Sequence, residues 1–412
     1  MNLVFITKFY PFGLGETFIE NEIKIMSNYY DKILIISCDV QDCDKIIRPL
    51  PKNVEAIKLS GMSRFDKAKS VIKGSKYIIS SDESIMYEMQ DCRNILQKIF
   101  VGYFEQKNQH LSAQIIDSKL LRDFCDNDFI LYSYWFFSTA KLGVEINNKY
   151  NSLFFFSRAH RYDLYEERSL IKRLPFRNLL LEECDNVLPC SENGTSYLKK
   201  KYPNFSNKIM TSLLGTLDYG IAPYSADGKF RIVSCSRVES VKRLDKLVLA
   251  LELLQNEYTN IEWVHIGDGT KYNKVYNLAK KRLKNIKVSF FGALSNSDVL
   301  EFYKNNPIDL FVNVSSSEGL PVSIMEAISF GIPALATDVG GTSEIVIDNV
   351  TGKLMRDDFK NEDLFDGIKY FILSENKETK IQLRESCRNY WKENFQAEKN
   401  YNLLHTYLIK EE

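Results

Sequence analysis

Residues 315–344 read SSSEGLPVSIMEAISFGIPALATDVGGTSE and follow an apolar run, residues 310–314, that is typical of a buried parallel strand. Pro321 suits the first position of a helix, because proline has no backbone N–H that would be left unpaired there. The helix should end at Gly331, and Pro333 should open the next strand. The stretch therefore predicts a strand, a turn and a helix N-terminus, where free N–H groups and the helix dipole favour an anion.

Two acidic residues flank the predicted anion site. Glu318 lies in the turn and Glu326 lies in the helix, with seven residues between them. A carboxylate beside a phosphate is repelled, so each should point past it, towards hydroxyl groups at either end of the ligand. A hydrogen bond to a carboxylate contributes about 1.5–3 kcal/mol, so two of them would fix the position of the ligand. A diphosphate with a sugar at each end fits this pattern.

The spacing Glu318-x7-Glu326, with the Gly-Leu-Pro turn and the downstream sequence DVGGTSE, resembles the signature of glycosyltransferase family 4. Members of this family are retaining enzymes of the GT-B architecture that use nucleotide-sugar donors. The resemblance implies that Glu318 contacts the donor sugar, that Glu326 contacts the ribose, and that backbone N–H groups of the turn hold phosphate. The alternative is an ordinary strand-turn-helix with two solvated acids. The turn residues implied in donor binding are Gly319, Leu320, Pro321 and Val322.

Composition limits the class of protein. A length of 412 residues predicts about two or three domains, and a hydrophobic content of 44% with 26% charged residues is globular. The net charge of +0 argues against a general nucleic-acid-binding protein. None of the eight cysteines forms a C-x2-C pair, which favours buried thiols in a reducing cytosol over disulfides or a zinc site. We also expect no signal peptide and no membrane-spanning helix, because the sequence has no leader and no long apolar run.

The N-terminal segment predicts a β-α-β unit. Residues 3–7 form a buried strand, a helix follows and ends near Tyr30, and residues 33–38 form the second strand. Such units build doubly wound sheets, whose ligands bind at the carboxyl ends of the strands. The family resemblance implies that the first turn lies over the donor phosphates, and a plain tight turn is the alternative. The residues of this turn implied in donor binding are Gly13, Gly15 and Glu16.

Residues 64–79 alternate basic and apolar side chains. One interpretation is a basic amphipathic surface that rests on an anionic membrane. The other is a solvated helix with an apolar inner face, which Gly74 would weaken.

A histidine follows another strong strand pattern. The apolar residues 153–156 run into Ser157-Arg158-Ala159-His160, and Asp163 comes three residues later. The resemblance implies that His160 contacts the donor sugar beside the reacting carbon, with Asp163 as the acid that usually follows it. A hydrogen-bonded histidine at a strand end is the alternative. Arg158 and Arg161 are cations that could meet phosphate or an acidic acceptor.

Two cations follow the strand predicted at residues 231–236. Arg237 and Lys242 stand just before a helix, and the resemblance implies that they clamp the donor diphosphate. Two cations would offset the charge of the leaving group without a metal. The alternative is a solvated turn. Arg243 could substitute for Lys242, and Ser236 stands where the family usually has glycine.

The base of the nucleotide is not specified by the sequence. The resemblance implies that the turn after residues 288–292 lies near the base, where Ala293 and Leu294 would make packing or backbone contacts. Few base-specific side chains are therefore expected, and the donor could be linked to UDP or GDP. The aromatic residues of the last helices suit docking of the terminal helix on the first domain.

These observations together predict an α/β protein of the GT-B class, with two Rossmann-like doubly wound domains facing a cleft and a C-terminal helix that returns to the N-terminal domain. The predicted domains are residues 1–218 on the acceptor side, residues 219–390 binding the nucleotide sugar, and residues 391–412 as the returning helix. The residues predicted to be catalytic are Glu318, His160, Arg237 and Lys242.

The function implied is a cytoplasmic, metal-independent retaining glycosyltransferase without a cofactor, with a nucleotide sugar as donor. Its acceptor would be a saccharide or a lipid-linked saccharide in surface polysaccharide synthesis, and it would make at most peripheral membrane contact. One alternative is a non-catalytic sugar-binding partner subunit. A glycosidase that uses Glu318 and Glu326 is the other, and a turn filled by phosphate argues against it.

Overall fold

The computed structural model describes residues 1–13, 15–41, 45–79, 83–169, 171–373 and 377–410. The chain divides into two compact units, which are Met1–Ser212 together with the chain from Tyr401 onward, and Leu213–Asn400. Each unit is built on a parallel sheet with six strands among the described residues.

The first unit contains a doubly wound sheet. Its strands are ordered β3-β2-β1-β4-β5-β6, and every residue of the central strand β1 is buried, as expected for a parallel strand covered on both faces. The predicted strands at residues 3–7, 33–38 and 153–156 are confirmed. The strands are β1 Asn2–Thr7, β2 Lys32–Val40, β3 Val54–Ser60, β4 Phe129–Ser133, β5 Phe154–Ala159 and β6 Asn186–Pro189.

Helices connect these strands, and several begin at a side-chain cap. Ser63, Asn94, Ser118 and Ser191 each accept a hydrogen bond from a backbone N–H of the first turn. The helices of this unit are α1 Ile19–Met26, α2 Arg64–Gly74, α3 Glu83–Gln90, α4 Ile95–Ile115, α5 Lys119–Cys125, α6 Ser138–Tyr150, α7 Arg161–Leu164, α8 Arg177–Glu183 and α9 Glu192–Lys201.

Helix α2 turns its apolar residues outward. Its buried residues are Ser70 and Gly74, and Gly74 packs against the backbone of Gly102 in α4. Phe65 and Ile72 are 67% and 74% exposed. The expectation of an apolar inner face is therefore wrong, because a close crossing of two glycines, rather than large side chains, joins α2 to the rest of the unit.

The second unit repeats the same winding. Its strands are ordered β12-β11-β10-β7-β8-β9, so β7 and β10 are neighbours at the point where the order reverses. Its strands are β7 Phe230–Cys235, β8 Ile261–Ile266, β9 Lys287–Phe290, β10 Leu310–Asn313, β11 Ala334–Thr337 and β12 Gly352–Met355. Its helices are α10 Leu244–Leu254, α11 Tyr272–Arg282, α12 Asn296–Asn305, α13 Val322–Ser329, α14 Asn361–Leu373 and α15 Lys377–Asn394.

The last helix, α16 Ala397–Lys410, returns to the first unit, as predicted. The Tyr30 hydroxyl lies 3.1 Å from Nδ1 of His405, and the Tyr29 hydroxyl donates to Asn402 at 2.9 Å. Residues 213–218 pack with the second unit instead, where Trp391 Nε1 donates to the hydroxyl of Thr216 at 2.7 Å.

The composition predicts buried thiols without disulfides, and the sequence predicts no membrane-spanning helix. None of the seven cysteines among the described residues forms a disulfide, and Cys43 lies outside the described residues. Across the part of the chain that the structure describes, no helix is long and apolar enough to cross a bilayer.

Candidate active site

Glu318 and Lys242 form an ion pair at the carboxyl edge of the second sheet. Lys242 Nζ donates to Oε1 of Glu318 at 2.5 Å, and Asn313 Nδ2 donates to the same oxygen at 3.2 Å. Burial by itself would raise the pKa of Glu318, but the ammonium of Lys242 and the hydrogen bonds hold it below its usual value. Glu318 is therefore an ionised carboxylate in a buried setting, held in place by two donors.

The turn around Glu318 is fixed from two sides. The side-chain oxygen of Asn313 accepts from the backbone N–H of Ser315 at 3.0 Å, which shapes the chain just after β10. On the other side the N–H of Gly341 donates to the carbonyl of Gly319 at 2.6 Å. Gly340 has a φ of +60° and approaches the carbonyl of Glu318 so closely that a Cβ atom would lie 2.1 Å from it. The downstream Gly-Gly pair thus supports the turn.

The turn leads into the N-terminus of α13. Helix α13 begins at Val322, and Pro321 is its N-cap residue rather than its first helical residue. No side chain caps this end of the helix, and Leu320 is buried. Gly319, Leu320 and Val322 therefore offer an anion their backbone N–H groups beside the positive end of the helix dipole, whereas Pro321 has no N–H to donate.

Glu326 has the opposite electrostatic setting from Glu318. It is 7% exposed, and burial raises its pKa to about 7, although a hydrogen bond from Asn296 opposes this shift. Asn296 Nδ2 donates to Oε1 of Glu326 at 2.7 Å. Asn296 is a functional candidate that the sequence did not reveal. Its one signal was its position at the start of α12, two residues after Leu294 of the turn assigned to the base. Ala293 and Leu294 themselves are exposed.

The two predicted phosphate cations both follow β7. Lys242 ends a short 3-10 turn and carries the ion pair described above. Arg237 is exposed, and its guanidinium makes no hydrogen bond or ion pair with any described residue. Arg243 has a different task from the one expected of it. Its guanidinium donates to the carbonyls of Val314 and Ser315 at 2.7 and 3.0 Å, so it braces the chain after β10 and is not available to replace Lys242.

His160 lies at the carboxyl edge of the first sheet. It is 8% exposed, and its ring packs 4.9 Å from the rings of Tyr134 and Trp135. Burial, together with the positive charges of Arg158 and Lys8, lowers the pKa of His160 well below its usual value, so the ring is neutral at pH 7. Its Nε2 atom has no hydrogen-bond partner among the described residues. An unpaired buried nitrogen on a ligand-facing edge suits a sugar hydroxyl.

Asp163 holds the chain around His160. One carboxylate oxygen accepts from the N–H of His160 at 2.7 Å and the other accepts from the N–H of Phe136 at 2.6 Å. Burial raises the pKa of Asp163 to about 6 in spite of Arg177 and these hydrogen bonds. Both oxygens are thus occupied by the main chain, and Asp163 ties the loops after β4 and β5 together.

Glu16 has a similar task in the first loop. One oxygen accepts from the N–H of Lys8 at 3.0 Å and also from Nε1 of Trp135; the other accepts from the N–H groups of Phe9 and Tyr10, both at 2.7 Å. The carboxylate therefore points into its own loop. Gly13 and Gly15 flank the ring of Phe9 in this turn, and Leu14 lies outside the described residues.

Arg158 does not face the ligand edge. It is fully buried, its guanidinium lies 3.3 Å from the carboxylate of Glu22, and it donates to the hydroxyl of Tyr132 at 2.6 Å. The suggestion that it meets phosphate or an acidic acceptor is wrong. The structure thus groups Glu318, Lys242, Glu326 and Asn296 in the second unit, and His160, Asp163 and Glu16 in the first. Among the described residues, no group of three His, Cys, Asp or Glu side chains could hold a metal ion, and independence from metal stays a prediction.

Comparison with known proteins gives matches of limited length. Protein CapJ of Staphylococcus aureus is 32% identical over 162 residues, which cover 38% of this chain and 39% of that protein. The UDP-N-acetylglucosamine–peptide N-acetylglucosaminyltransferase GtfA subunit of Streptococcus agalactiae is 27% identical over 158 residues, which cover 38% of this chain and 30% of that one. The chain therefore spans well under half the length of these relatives.

Solved structures match the whole chain. HepE of Anabaena in complex with UDP-glucose superposes with a TM-score of 0.65 at 14% identity, covering 99% of each chain. An identity this low shows the fold alone, and the predicted GT-B fold is confirmed. Residues 222–393 match the model of "Glycosyl transferases group 1". This region contains Glu318 and Glu326, so the match agrees with the family that the residues around them predicted.

Proposed function

We propose that this chain is a retaining glycosyltransferase that moves a sugar from a nucleotide-sugar donor to a saccharide or lipid-linked acceptor. The observation that carries the proposal is the pair of unlike glutamates beside an uncapped helix N-terminus. Glu318 is ionised and held by Lys242, and Glu326 is buried with a hydrogen bond from Asn296. This set offers one carboxylate for the donor sugar, one for the ribose, and backbone N–H groups for the phosphates between them.

The proposed reaction develops charge at two places. Negative charge grows on the departing diphosphate, where Arg237, Lys242 and the N-terminus of α13 would stabilise it. Positive charge grows on the sugar, which Glu318 and the neutral ring of His160 would orient. Neither Glu16 nor Asp163 is free to act as a covalent nucleophile, because backbone N–H groups occupy both carboxylates. We therefore infer attack on the same face that the leaving phosphate departs from, with that phosphate accepting the proton of the acceptor hydroxyl.

A UDP-linked sugar is the donor that we propose first, and a GDP-linked sugar is second. The support comes from the relatives, since the name of GtfA includes UDP-N-acetylglucosamine and HepE was solved with UDP-glucose. Surface polysaccharide synthesis is the process we propose, because CapJ is a relative.

Thermal stabilisation by a panel of UDP- and GDP-linked sugars tests the proposal directly. A ligand that binds only the folded chain stabilises it by about 2.7 kcal/mol at one hundred times its dissociation constant, so the true donor should raise Tm measurably. Slow hydrolysis of that same donor by the purified chain would separate an enzyme from the non-catalytic partner subunit, which is the second candidate. Stabilisation by none of these donors would overturn the proposal.

Two variants then assign the roles of the acids. We expect Glu326→Ala to raise the KM for the donor and Glu318→Ala mainly to lower kcat, because Glu318 is the one of these two acids that is proposed to act at the reacting sugar. Glu301→Ala is the matched control, since Glu301 is an exposed carboxylate of α12 that also accepts from an asparagine, at 2.6 Å. Equal and small effects from the first two variants would contradict the assigned roles.

We also propose that the outer face of α2 meets an anionic membrane from the cytoplasmic side. This face exposes Phe65 and Ile72, and Lys69 lies over the ring of Phe65 at 4.3 Å, so apolar and basic groups are interleaved. Co-sedimentation with vesicles of phosphatidylglycerol and phosphatidylcholine should fall when Phe65 and Ile72 are both changed to serine. Equal sedimentation of the variant, or no sedimentation of the native chain, would contradict this contact.

A further inference from the structure

The loops that follow β1 and β4 meet at a point where doubly wound sheets bind ligands. These two strands are neighbours, and the strand order of the first sheet reverses between them. Crevices outside the carboxyl ends of strands at such a reversal are the usual ligand sites of the fold. Lys8 directly follows β1, and Trp135 comes two residues after β4.

The ammonium group of Lys8 is held by aromatic rings rather than by an acid. Its nitrogen lies 4.0 Å from the ring centre of Tyr162 and 4.8 Å from that of Trp135. No described residue accepts a hydrogen bond from it or forms an ion pair with it. Cation–π contact orients an ammonium group but leaves its three N–H donors without acceptors.

The carboxylates that act electrostatically on Lys8 are each bound to other groups. Glu16 accepts from the backbone of its own loop and from Trp135, and Asp163 accepts from two backbone N–H groups. Asp39 is paired with Lys107 at 2.8 Å. These three carboxylates are therefore bound to other groups, and none of them accepts a hydrogen bond from the ammonium group of Lys8.

His160 provides a second, independent indication of a ligand site. Its Nε2 is buried and has no hydrogen-bond partner among the described residues, and its ring packs against Trp135. The ring of Tyr162, which faces Lys8, is 58% exposed. An unpaired nitrogen and an unpaired ammonium therefore share one aromatic wall at the ligand edge of the sheet.

We infer that Lys8, Trp135, Tyr162 and His160 form a subsite for a sugar that carries a phosphate or carboxylate group. Lys8 would bind the anionic group, His160 Nε2 a hydroxyl, and the exposed ring of Tyr162 an apolar face of the sugar. The identification of this ligand as a substrate rests on the proposed function. The anion has two sources, which are the diphosphate of the donor and an acidic group on the acceptor.

The variant Lys8→Met removes the charge and keeps most of the side-chain volume, and Lys8→Arg keeps the charge. Lys280→Met is the matched control, because Lys280 is an exposed lysine over one tyrosine ring, at 5.5 Å. Binding of UDP would be measured by calorimetry for each full-length variant. Binding of glucuronate, glucose 6-phosphate and glucose would be measured by NMR with UDP present at saturation.

If the anion belongs to the donor, Lys8→Met should weaken UDP binding about tenfold or more, as expected for a lost charged hydrogen bond. If it belongs to the acceptor, UDP binding should persist and the preference for the charged sugars over glucose should vanish. In both cases Lys8→Arg should recover most of the binding and Lys280→Met should have no effect.

The inference is overturned if Lys8→Met changes neither UDP binding nor binding of the charged sugars by more than about twofold, including the case in which the native chain binds none of the charged sugars. These probes do not depend on turnover. A chain that binds charged sugars through Lys8 but hydrolyses no nucleotide sugar would refute the proposed function and leave the subsite standing.

Discussion

Replacing Asn296 by alanine should weaken binding of the nucleotide most strongly near pH 7. Asn296 donates to Glu326 at 2.7 Å, and burial raises the pKa of Glu326 to about 7. The hydrogen bond favours the ionised carboxylate, so its loss should raise this pKa further. A hydrogen bond to a charged group contributes about 1.5–3 kcal/mol, which corresponds to roughly one to two pKa units.

The magnitude follows from the ionised fraction, because ribose hydroxyls donate best to the carboxylate form. At pH 7 the native Glu326 is about half ionised, whereas a pKa one to two units higher leaves roughly 1–10% ionised. The dissociation constant for UDP should therefore rise about 5- to 50-fold at pH 7. At pH 8.5 the same pKa values give a rise of only about 1.3- to 4-fold.

Calorimetric titration of UDP between pH 6.5 and 8.5 measures this effect. The ratio of variant to native dissociation constants cancels any titration of the ligand itself. Asn305→Ala is the matched control, since Asn305 donates to the exposed Glu301 on the same helix at 2.6 Å. Glu326→Gln cannot ionise, so its binding of UDP should lack the pH-dependent step that Glu326 contributes near pH 7.

A ratio for Asn296→Ala that stays the same at pH 7 and pH 8.5 would refute the reasoning, because the variant would then act without changing the ionisation of Glu326. The same ratio in Asn305→Ala would assign the loss to the helix rather than to the contact.

Other changes follow from charges that the structure buries. Glu326→Gln should raise the free energy of unfolding at pH 8 by up to about 3 kcal/mol and should not change it at pH 4. The pKa of Glu326 is about 7 in the folded chain against 4.5 in the unfolded chain, so the native protein loses stability as the pH rises between these values. Urea unfolding at the two pH values measures the difference. Arg237→Ala and Lys242→Ala should each lower kcat/KM about tenfold or more without added metal, and a strict need for a divalent ion would contradict this. Arg158→Met should destabilise the chain by about 3–5 kcal/mol by leaving Glu22 buried and unpaired, a loss that Glu22→Gln in the same chain should partly reverse in thermal unfolding.

Uniform apolar runs made the central strands predictable. Strands β1 and β10 are buried throughout, so composition alone distinguished them from amphipathic segments. The end of α13 was equally clear, because Gly331 has a φ of +73°, a conformation that favours glycine. The edge strand β3, with sequence VEAIKLS, was missed because it is only partly buried and carries charged residues.

Contacts between distant residues could not be predicted. Asn296 donates a hydrogen bond to Glu326, which lies thirty residues further along the chain. A single asparagine forms no sequence pattern from which this partner could be predicted. Trp135 lies 119 positions from Glu16, yet its indole N–H donates to that carboxylate. The same limit explains the wrong prediction for Arg158. Its position near the end of β5 suggested the ligand edge, but the alternation of side chains along the strand places its guanidinium in the core.

The two glutamates of the Glu-x7-Glu motif are the same residue type, but their surroundings give them different charge states. Lys242 and Asn313 keep Glu318 charged, whereas Glu326 has one neutral donor and sits close to its midpoint at neutral pH. A fixed charge suits the orientation of a sugar that becomes positive, and a carboxyl poised near neutrality suits reversible binding of a nucleoside that must leave after each turnover. Because Lys242 touches Glu318 before any ligand is bound, an arriving diphosphate must share that lysine with the carboxylate. The position of the sugar and the charge on the leaving group are thereby coupled through one side chain, so Lys242→Ala should affect kcat more than donor binding.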